Sequence, residues 1–364
     1  MPNNLTNKLT VLVDGGFLCV SRAFAFEKGF LITNSAAQKR AAAAGFKETL
    51  SQTMAKILNQ FPEADNIVLM SEGGSWRKNL PIPEQLEGTT YKGHREKRTE
   101  VDWNAIYKAY NEFVRNCESA GITCSQHSSI EGDDWAWYWS RRLNEQGTNV
   151  LIWTSDCDLK QLVQVRNNSF TAWYNDRAGL VLPDCMKGDD DPIEYMLNPP
   201  YQNEISGKLI HRVKNTTYIN PDLIVINKVL CGDAGDNIKA CARFRKNNRV
   251  YRFADSDYKK FIEQTGIGSI QEFIKRADET SGIIAGIPRF EQRGVTASGV
   301  REMIDYNLRL VWLNEEVIPE TVTTAMVQFE YKVFNVADLK HNHKLLMGQN
   351  TTIENIFAGI QENF

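Results

Sequence analysis

Asn149-Val-Leu-Ile-Trp-Thr154 runs directly into Ser155-Asp156-Cys157-Asp158. The first part is apolar without alternation, as expected of a strand in a parallel sheet covered on both faces. Two carboxylates then follow at i and i+2, which crowds like charges where desolvation is costly. A bound cation resolves that conflict more readily than a purely structural role. The same design occurs twice upstream. Leu9-Thr-Val-Leu-Val13 ends in Asp14-Gly15-Gly16, and Asn66-Ile-Val-Leu-Met70 ends in Ser71-Glu72-Gly73-Gly74. A helical stretch over Ala36–Leu58 separates these two strands. In parallel α/β sheets, ligands bind beyond the carboxyl ends of the strands, and each strand here delivers a carboxylate to that edge.

Two helices are expected between the second and third strands. One starts after Asp102, a good N-cap, with apolar residues at Ile106, Tyr110, Phe113 and Cys117. The other runs from about Gly132 to Gln146, with Gly147 as its stop. Ahead of them, Trp76–Glu100 carries Pro and Gly breakers and a basic cluster, an excursion from the core. Gly188–Pro200 is acidic and Pro-containing and reads as a surface loop. Beyond Asn220 the strand pattern fades, and helices are expected over Pro221–Leu230, Asp257–Gln264, Ile270–Ala277 and Ala297–Leu313. The reading is an α/β domain over residues 1–230, with a basic arch at about 76–110, followed by a smaller, mainly helical domain over 231–364.

Other groups could carry chemistry. Glu131 and Asp134 stand three apart at a helix start, with Asp133 beside them, so they can converge; acids in a first turn also serve the helix dipole alone. Asp233 and Asp236 repeat that spacing in Cys231-Gly-Asp233-Ala-Gly-Asp236-Asn-Ile238, where a capping turn is the plainer reading. The excursion holds Arg77, Lys78, Tyr91, Lys92, Arg95, Lys97 and Arg98, a mixture of cations and aromatics suited to phosphates and unpaired bases. A second run, Arg243, Arg245, Lys246, Arg249 and Arg252, follows the Gly-Asp turn and could hold a duplex backbone. A solvated charged surface explains either run equally well.

The 364 residues suffice for roughly two domains. No apolar run reaches the ~20 residues that span a bilayer, and the polar start to Lys8 does not read as a signal peptide. Seven irregularly spaced Cys without C-x-x-C point to a reducing cytoplasm rather than a disulfide framework. The net charge of −3 argues against a polyanionic partner, but setting aside nine clustered carboxylates would leave the remainder with six surplus positive charges. Bulk charge is therefore neutral on this point.

Taken in order, five pieces resemble the 5′-nuclease superfamily: flap endonucleases, the 5′-exonuclease domain of bacterial DNA polymerase I, and phage RNase H-type nucleases. They are Val13-Asp14-Gly15; Arg77 with Tyr91-Lys92-x-x-Arg95; Glu131-x-Asp133-Asp134; Thr154-Ser-Asp156-x-Asp158-x-x-Gln161-Leu; and Leu230-x-Gly232-Asp233-x-x-Asp236-Asn-Ile. The resemblance covers roughly residues 10–240 and implies a PIN-like sheet. It also implies two Mg²⁺, with Mn²⁺ as substitute, on an inner site of Asp14, Glu131 and Asp133 and an outer site of Asp134, Asp156 and Asp158. Asp233 and Asp236 would act mainly through water, and Lys92 and Arg77 would neutralise the scissile phosphate from the arch. The implied activity is 5′-3′ exonuclease and flap endonuclease cleavage, with RNase H-like primer removal in replication, by a cytoplasmic monomer acting on branched or duplex DNA and RNA/DNA hybrid.

Two departures stand out. Where the family has an Asp after the second strand, this chain has Ser71-Glu72, and Glu72 is favoured over Ser71 as the replacement ligand. The family's Gly-Ile-Gly turn does not follow Asp236-Asn-Ile, so a monovalent cation site is not expected; the similar Thr265-Gly-Ile-Gly268 lies some thirty residues later. Competing readings are a PIN-like ribonuclease and a non-catalytic junction binder; a dehydrogenase is disfavoured because Asp14-Gly-Gly is not G-x-G-x-x-G. The apolar spacing of Ile356, Phe357, Ile360 and Phe364 suits a terminal helix packed on its own domain, or docking to a clamp or single-strand-binding protein.

Overall fold

The β-branched run Leu9–Asp14 forms strand β1, buried along its length. It passes directly into helix α1 (Gly15–Phe26). Helix α2 (Ala36–Gln60) opens on Ser35, whose hydroxyl accepts from the Gln38 N–H while the Gln38 side chain accepts from the Ser35 N–H, a reciprocal capping box. Then follow β2 (Asn66–Met70), α3 (Trp103–Ser119), β3 (Thr123–Ser125), α4 (Gly132–Glu145) and β4 (Asn149–Trp153). Asp102 caps α3, accepting from the Ala105 N–H at 3.0 Å. β5 (Gln164–Arg166), β6 (Ser169–Asn175) and β7 (Gly179–Pro183) come next, then short α5 (Pro192–Leu197), the two-residue strands β8 (Tyr201–Gln202) and β9 (Leu209–Ile210), and β10 (Thr216–Ile219).

Apart from β8 and β9, which pair with each other, these strands build one mixed, mostly parallel sheet in the order β10-β7-β6-β4-β1-β2-β3, with β5 beside β6. β1 lies between β4 and β2 and is parallel to both, with Val13 level with Trp153 and Asp14 level with Met70. The carboxyl ends of three strands therefore stand side by side. The expectation of a parallel sheet holds for this centre but not for the flank, where β5·β6 and β6·β7 are antiparallel. The cause is local: residues 176–178 are too short a link for a crossover, and Gly179 (φ +90°) completes a hairpin turn.

The computed structural model describes residues 8–86, 90–93, 99–187, 192–202 and 209–347. They fall into two compact units. The first draws on Met1–Gly74, Lys97–Ile219 and Thr324–Phe364, the second on Ser75–Glu96 and Asn220–Thr323. The sequence reading placed one boundary near residue 230. The observed division lies at Asn220 and adds two crossings without counterpart in that reading. Ser75–Glu96 belongs to the second unit because Leu86 and Tyr91 are buried in its core. The stretch after Thr324 belongs to the first, where Phe329 meets Trp135 edge-on at 4.7 Å and Phe334, Val336 and Leu339 join the core.

The second unit contains α6 (Pro221–Cys231), a hairpin of β11 (Arg243–Lys246) and β12 (Arg249–Arg252), then α7 (Asp255–Thr265), α8 (Ile270–Lys275), α9 (Ala277–Ala285), α10 (Pro288–Glu291) and α11 (Ala297–Val311). Of residues 76–110, expected as a helical arch, the described ones show single 3-10 turns at Trp76–Asn79 and Glu84–Leu86 and then the start of α3 at Trp103. Arg95, Lys97 and Arg98 lie outside the described residues, as do Ile356, Phe357, Ile360 and Phe364. No helix among the described residues is long and apolar enough to cross a membrane, and all seven cysteines are free thiols.

Candidate active site

Asp14 ends β1 and caps α1. Its Oδ1 accepts from the Phe17 N–H at 2.9 Å, a favourable place for negative charge at a helix N-terminus. Its Oδ2 accepts from the Thr154 hydroxyl at 2.5 Å. Thr154 Oγ1 in turn accepts from the Asp156 N–H at 2.9 Å, and Asp156 Oδ1 accepts from the Asp158 N–H at 2.8 Å. The indole of Trp173 donates to the Asp156 carbonyl at 2.9 Å and holds this turn. One hydrogen-bonded chain thus links three of the expected acids across the ends of β1 and β4. Sequence reasoning gave Thr154 no role; the available signal was its place one residue past β4, beside β1 in a parallel register.

The two candidates after β2 are placed differently. Ser71 is fully buried, its hydroxyl bonded to Tyr110 Oη at 2.8 Å and its N–H donating to the Ser125 carbonyl at 2.8 Å. Glu72 is exposed and turns toward β1. A Cβ built on Gly16 would lie 3.4 Å from Asp14 Oδ1 and 3.6 Å from Glu72 Oε1, and one built on Gly132 would lie 3.6 Å from Glu72 Cγ. Glycines therefore keep open the space that both carboxylates border. Burial pushes the Cys19 thiol on α1 up to about 12, and the nearby Glu72 charge adds to this. The carboxylate aims this way because Gly73 and Gly74 press against backbone: added Cβ atoms would stand 2.0 Å from the carbonyl oxygens of His127 and Ser128.

At the start of α4, Asp134 is fully buried and its Oδ2 accepts from the Glu131 N–H at 3.2 Å. This is the capping role that competed with metal ligation in the sequence. Glu131 is 4% exposed and Asp133 half-buried. Gly132, between them, is the residue that Glu72 passes.

The remaining expected residues belong to the second unit. Lys228 Nζ donates to Asp233, whose other oxygen accepts from the Gly235 N–H at 2.7 Å. Burial raises this carboxyl's pKa, but the Lys228 hydrogen bond and charge outweigh it and hold the group below the usual range. Asp236 Oδ2 lies 3.3 Å from Tyr91 Oη and 3.8 Å from Lys92 Nζ, and the Lys92 N–H donates to the Asp236 carbonyl at 2.9 Å. Arg77 is 2% exposed, with its guanidinium 4.5 Å over the Trp76 ring. This is the residue expected to reach a substrate phosphate.

A sequence profile of the 5′-3′ exonuclease N-terminal, resolvase-like domain matches residues 9–182. Over these residues the chain is similar to the 5′-3′ exonuclease family. A 5′-3′ exonuclease of Mycoplasmopsis pulmonis (strain UAB CTIP) is 28% identical over 192 residues, 52% of this chain and 51% of the relative. The chain thus spans about half the length of that curated relative. Among solved structures, the bacteriophage T5 protein co-crystallised with metal ions aligns with a TM-score of 0.51 at 16% identity, covering 92% of this chain and 98% of that one. The T5 flap endonuclease in a pseudo-enzyme-product complex with DNA and metal ions gives 0.50 at 16% identity, covering 94% and 100%. At that identity the T5 structures establish the fold alone, while the profile match spans Asp14, Glu72 and Asp156.

The donor set suits a hard divalent cation, since every group is a carboxylate oxygen. The glycine-lined space beside Asp14 and Glu72 provides room. Among the described residues, no group of three His, Cys, Asp or Glu side chains closes on one point. Carboxylates without a counter-ion repel one another, and Asp14, Asp134 and Asp156 are each held by hydrogen bonds within their own unit.

Proposed function

We propose that the chain is a divalent-metal-dependent 5′-nuclease that hydrolyses phosphodiesters in 5′ flaps and in nicked or RNA-primed duplexes, as in primer removal during replication. The observation carrying this reading is the alignment of three strand ends that set Asp14, Glu72 and the Asp156–Asp158 turn along one edge. Asp14, Glu72, Glu131, Asp133, Asp134, Asp156 and Asp158 are the residues that would hold Mg²⁺ or Mn²⁺. When bound, paired metals can activate water and stabilise the leaving oxygen of an in-line displacement, yielding a 5′-phosphate and a 3′-hydroxyl.

The chain's own residues have definable tasks in this reading. Thr154 aims Asp14 by donating a hydrogen bond to its carboxylate. The N-terminus of α1 stabilises the same charge. Lys92, already close to an anion at Asp236, is the cation that exchanges that partner for a substrate phosphate. Asp233 and Asp236 are engaged by Lys228 and Lys92 and act, if at all, through water.

The deciding assay is cleavage of a labelled 5′-flap duplex in Mg²⁺, with an EDTA control, by the intact protein and by the Asp156→Asn, Asp158→Asn variant. Equal rates from both proteins would sink the proposal. The departure at Ser71-Glu72 from the family's Asp gives a second reading, a non-catalytic junction binder, a specific basis. Tight flap binding without cleavage in either Mg²⁺ or Mn²⁺ would establish it.

Ser71 and Glu72 separate in a paired experiment. Ser71→Ala strands the buried Tyr110 hydroxyl and is expected to lower stability by about 1–3 kcal/mol with cleavage unchanged. Glu72→Gln is expected to leave melting unchanged and raise the Mg²⁺ concentration for half-maximal cleavage by about tenfold or more. The reverse pattern would assign the ligand position to Ser71.

A further inference from the structure

The basic run after the Gly-Asp turn is a two-residue hairpin. Asn247 and Asn248 take φ of +48° and +60°, the left-handed pair of a type I′ turn. The register pairs Arg243 with Arg252, Phe244 with Tyr251, Arg245 with Val250 and Lys246 with Arg249. Side chains alternate across the ribbon, so its two faces differ. One face carries the Phe244–Tyr251 stack (5.0 Å between centroids, 7° between planes), with Phe244 edge-on to buried Phe290 at 6.0 Å. That contact anchors a ribbon that would be marginal alone. The other face, with Arg243, Arg252 and Val250, borders a cavity of about 240 Å³ shared with Asn237, Lys239 and Ala240 from the Gly-Asp loop.

This cavity concentrates positive charge without neutralising it. No carboxylate among the described residues forms an ion pair with Lys239, Arg243 or Arg252; Lys239 Nζ donates to the neutral Asn237 side chain. The Lys239 ammonium titrates below its ordinary value, through burial and then the charge of Arg243, and Arg243 is lowered by burial and Arg245. Cations held together at such a cost are relieved by a bound anion, and guanidinium forks match the geometry of a tetrahedral oxyanion.

We propose that the cavity between the β11–β12 hairpin and the Asn237–Ala240 loop is a phosphate site for the backbone of a duplex, held by Lys239, Arg243 and Arg252. The inference deepens the nuclease reading by naming where duplex is gripped, at a position where the chain lacks the family's Gly-Ile-Gly turn. The occupant is a phosphodiester of duplex nucleic acid rather than a free phosphate, because the hairpin continues outward with exposed Arg245, Lys246 and Arg249, a cationic track longer than one anion needs.

The test is the salt dependence of binding to a blunt duplex without divalent metal, measured on the full chain. Arg243→Gln, Arg252→Gln is expected to weaken binding about tenfold and to reduce the slope of log K against log salt by about one. Lys246→Gln, Arg249→Gln removes equal charge from the other face and should keep most of the slope. Val250→Glu, which sets a carboxylate in the cavity and leaves all three cations in place, should reproduce the loss; melting curves identify any variant that fails to fold. Equal weakening by both double variants would reduce the effect to surface charge and overturn the site. Protection of the intact protein by inorganic phosphate, with duplex binding unchanged in Arg243→Gln, Arg252→Gln, would assign the cavity to free phosphate and also overturn it. Flap cleavage by the intact protein in Mg²⁺ is scored separately. Its absence removes the nuclease reading, while the slope still judges the cavity.

Discussion

Asp14→Asn is expected to lower flap cleavage by at least about a hundredfold while leaving thermal stability nearly unchanged. The two effects separate because Asp14 performs two tasks. As a cap it accepts from the Phe17 N–H, and Asn caps helices as well as Asp does. The amide nitrogen would face Thr154 Oγ1, which can turn from donor to acceptor while still receiving the Asp156 N–H. Only the negative charge is lost, and that charge is what a divalent cation needs. Asp14→Ala should lose the same activity and about 1 kcal/mol of stability with the cap. Single-turnover cleavage and a melting curve on the same preparations check both statements. Undiminished cleavage by the Asn variant would remove Asp14 from the reaction.

Gly15→Ala is expected to lose substantial stability through a single methyl group. An added Cβ would stand 2.1 Å from Tyr110 Oη, 2.4 Å from the Met70 carbonyl oxygen and 2.9 Å from Ser71 Oγ. The Met70 oxygen is backbone of β2, so it moves only if the strand end moves. Overpacking of this kind costs about 1–3 kcal/mol, and breaking the buried Tyr110–Ser71 hydrogen bond adds about 1–3 kcal/mol. A fall in Tm on the order of 4–24 °C is expected for a unit of this size. Cleavage should fall as well, because the displaced strand end carries Glu72. A variant that melts like the parent would show that α1 does not approach β2 as closely as the structure places it.

The central strands were legible because burial on both faces leaves no alternation to misread, and Leu9–Val13, Asn66–Met70 and Asn149–Thr154 were each placed to within a residue. The capped helices were legible for a related reason: Asp102, Ser35 and Gly147 act within one turn of the helix they bound. The Ser169–Asn175 and Gly179–Pro183 pair was not recognised, nor was the Arg243–Arg252 hairpin. In the hairpin, alternating cations and apolar residues resemble a solvated loop, and Asn247-Asn248 signals a hairpin only once its left-handed backbone is seen.

From sequence alone came the family resemblance, the sheet, the acids at its carboxyl edge and the two places where the chain departs from the family's pattern. All rest on short-range order, in which a strand delivers its next residue to a known edge. Which group does what at that edge depended on tertiary contacts. Ser71 turns inward because Tyr110 and Ser125 satisfy it, leaving Glu72 to border the space beside Asp14. Asp134 turns into its own helix end, and Arg77 is buried on Trp76. Asp233 and Asp236 take lysine partners within the second unit. A carboxylate or guanidinium has the same formula wherever it stands. Its role follows from which partners are near enough to satisfy it, and those come from residues up to 145 positions away in the sequence.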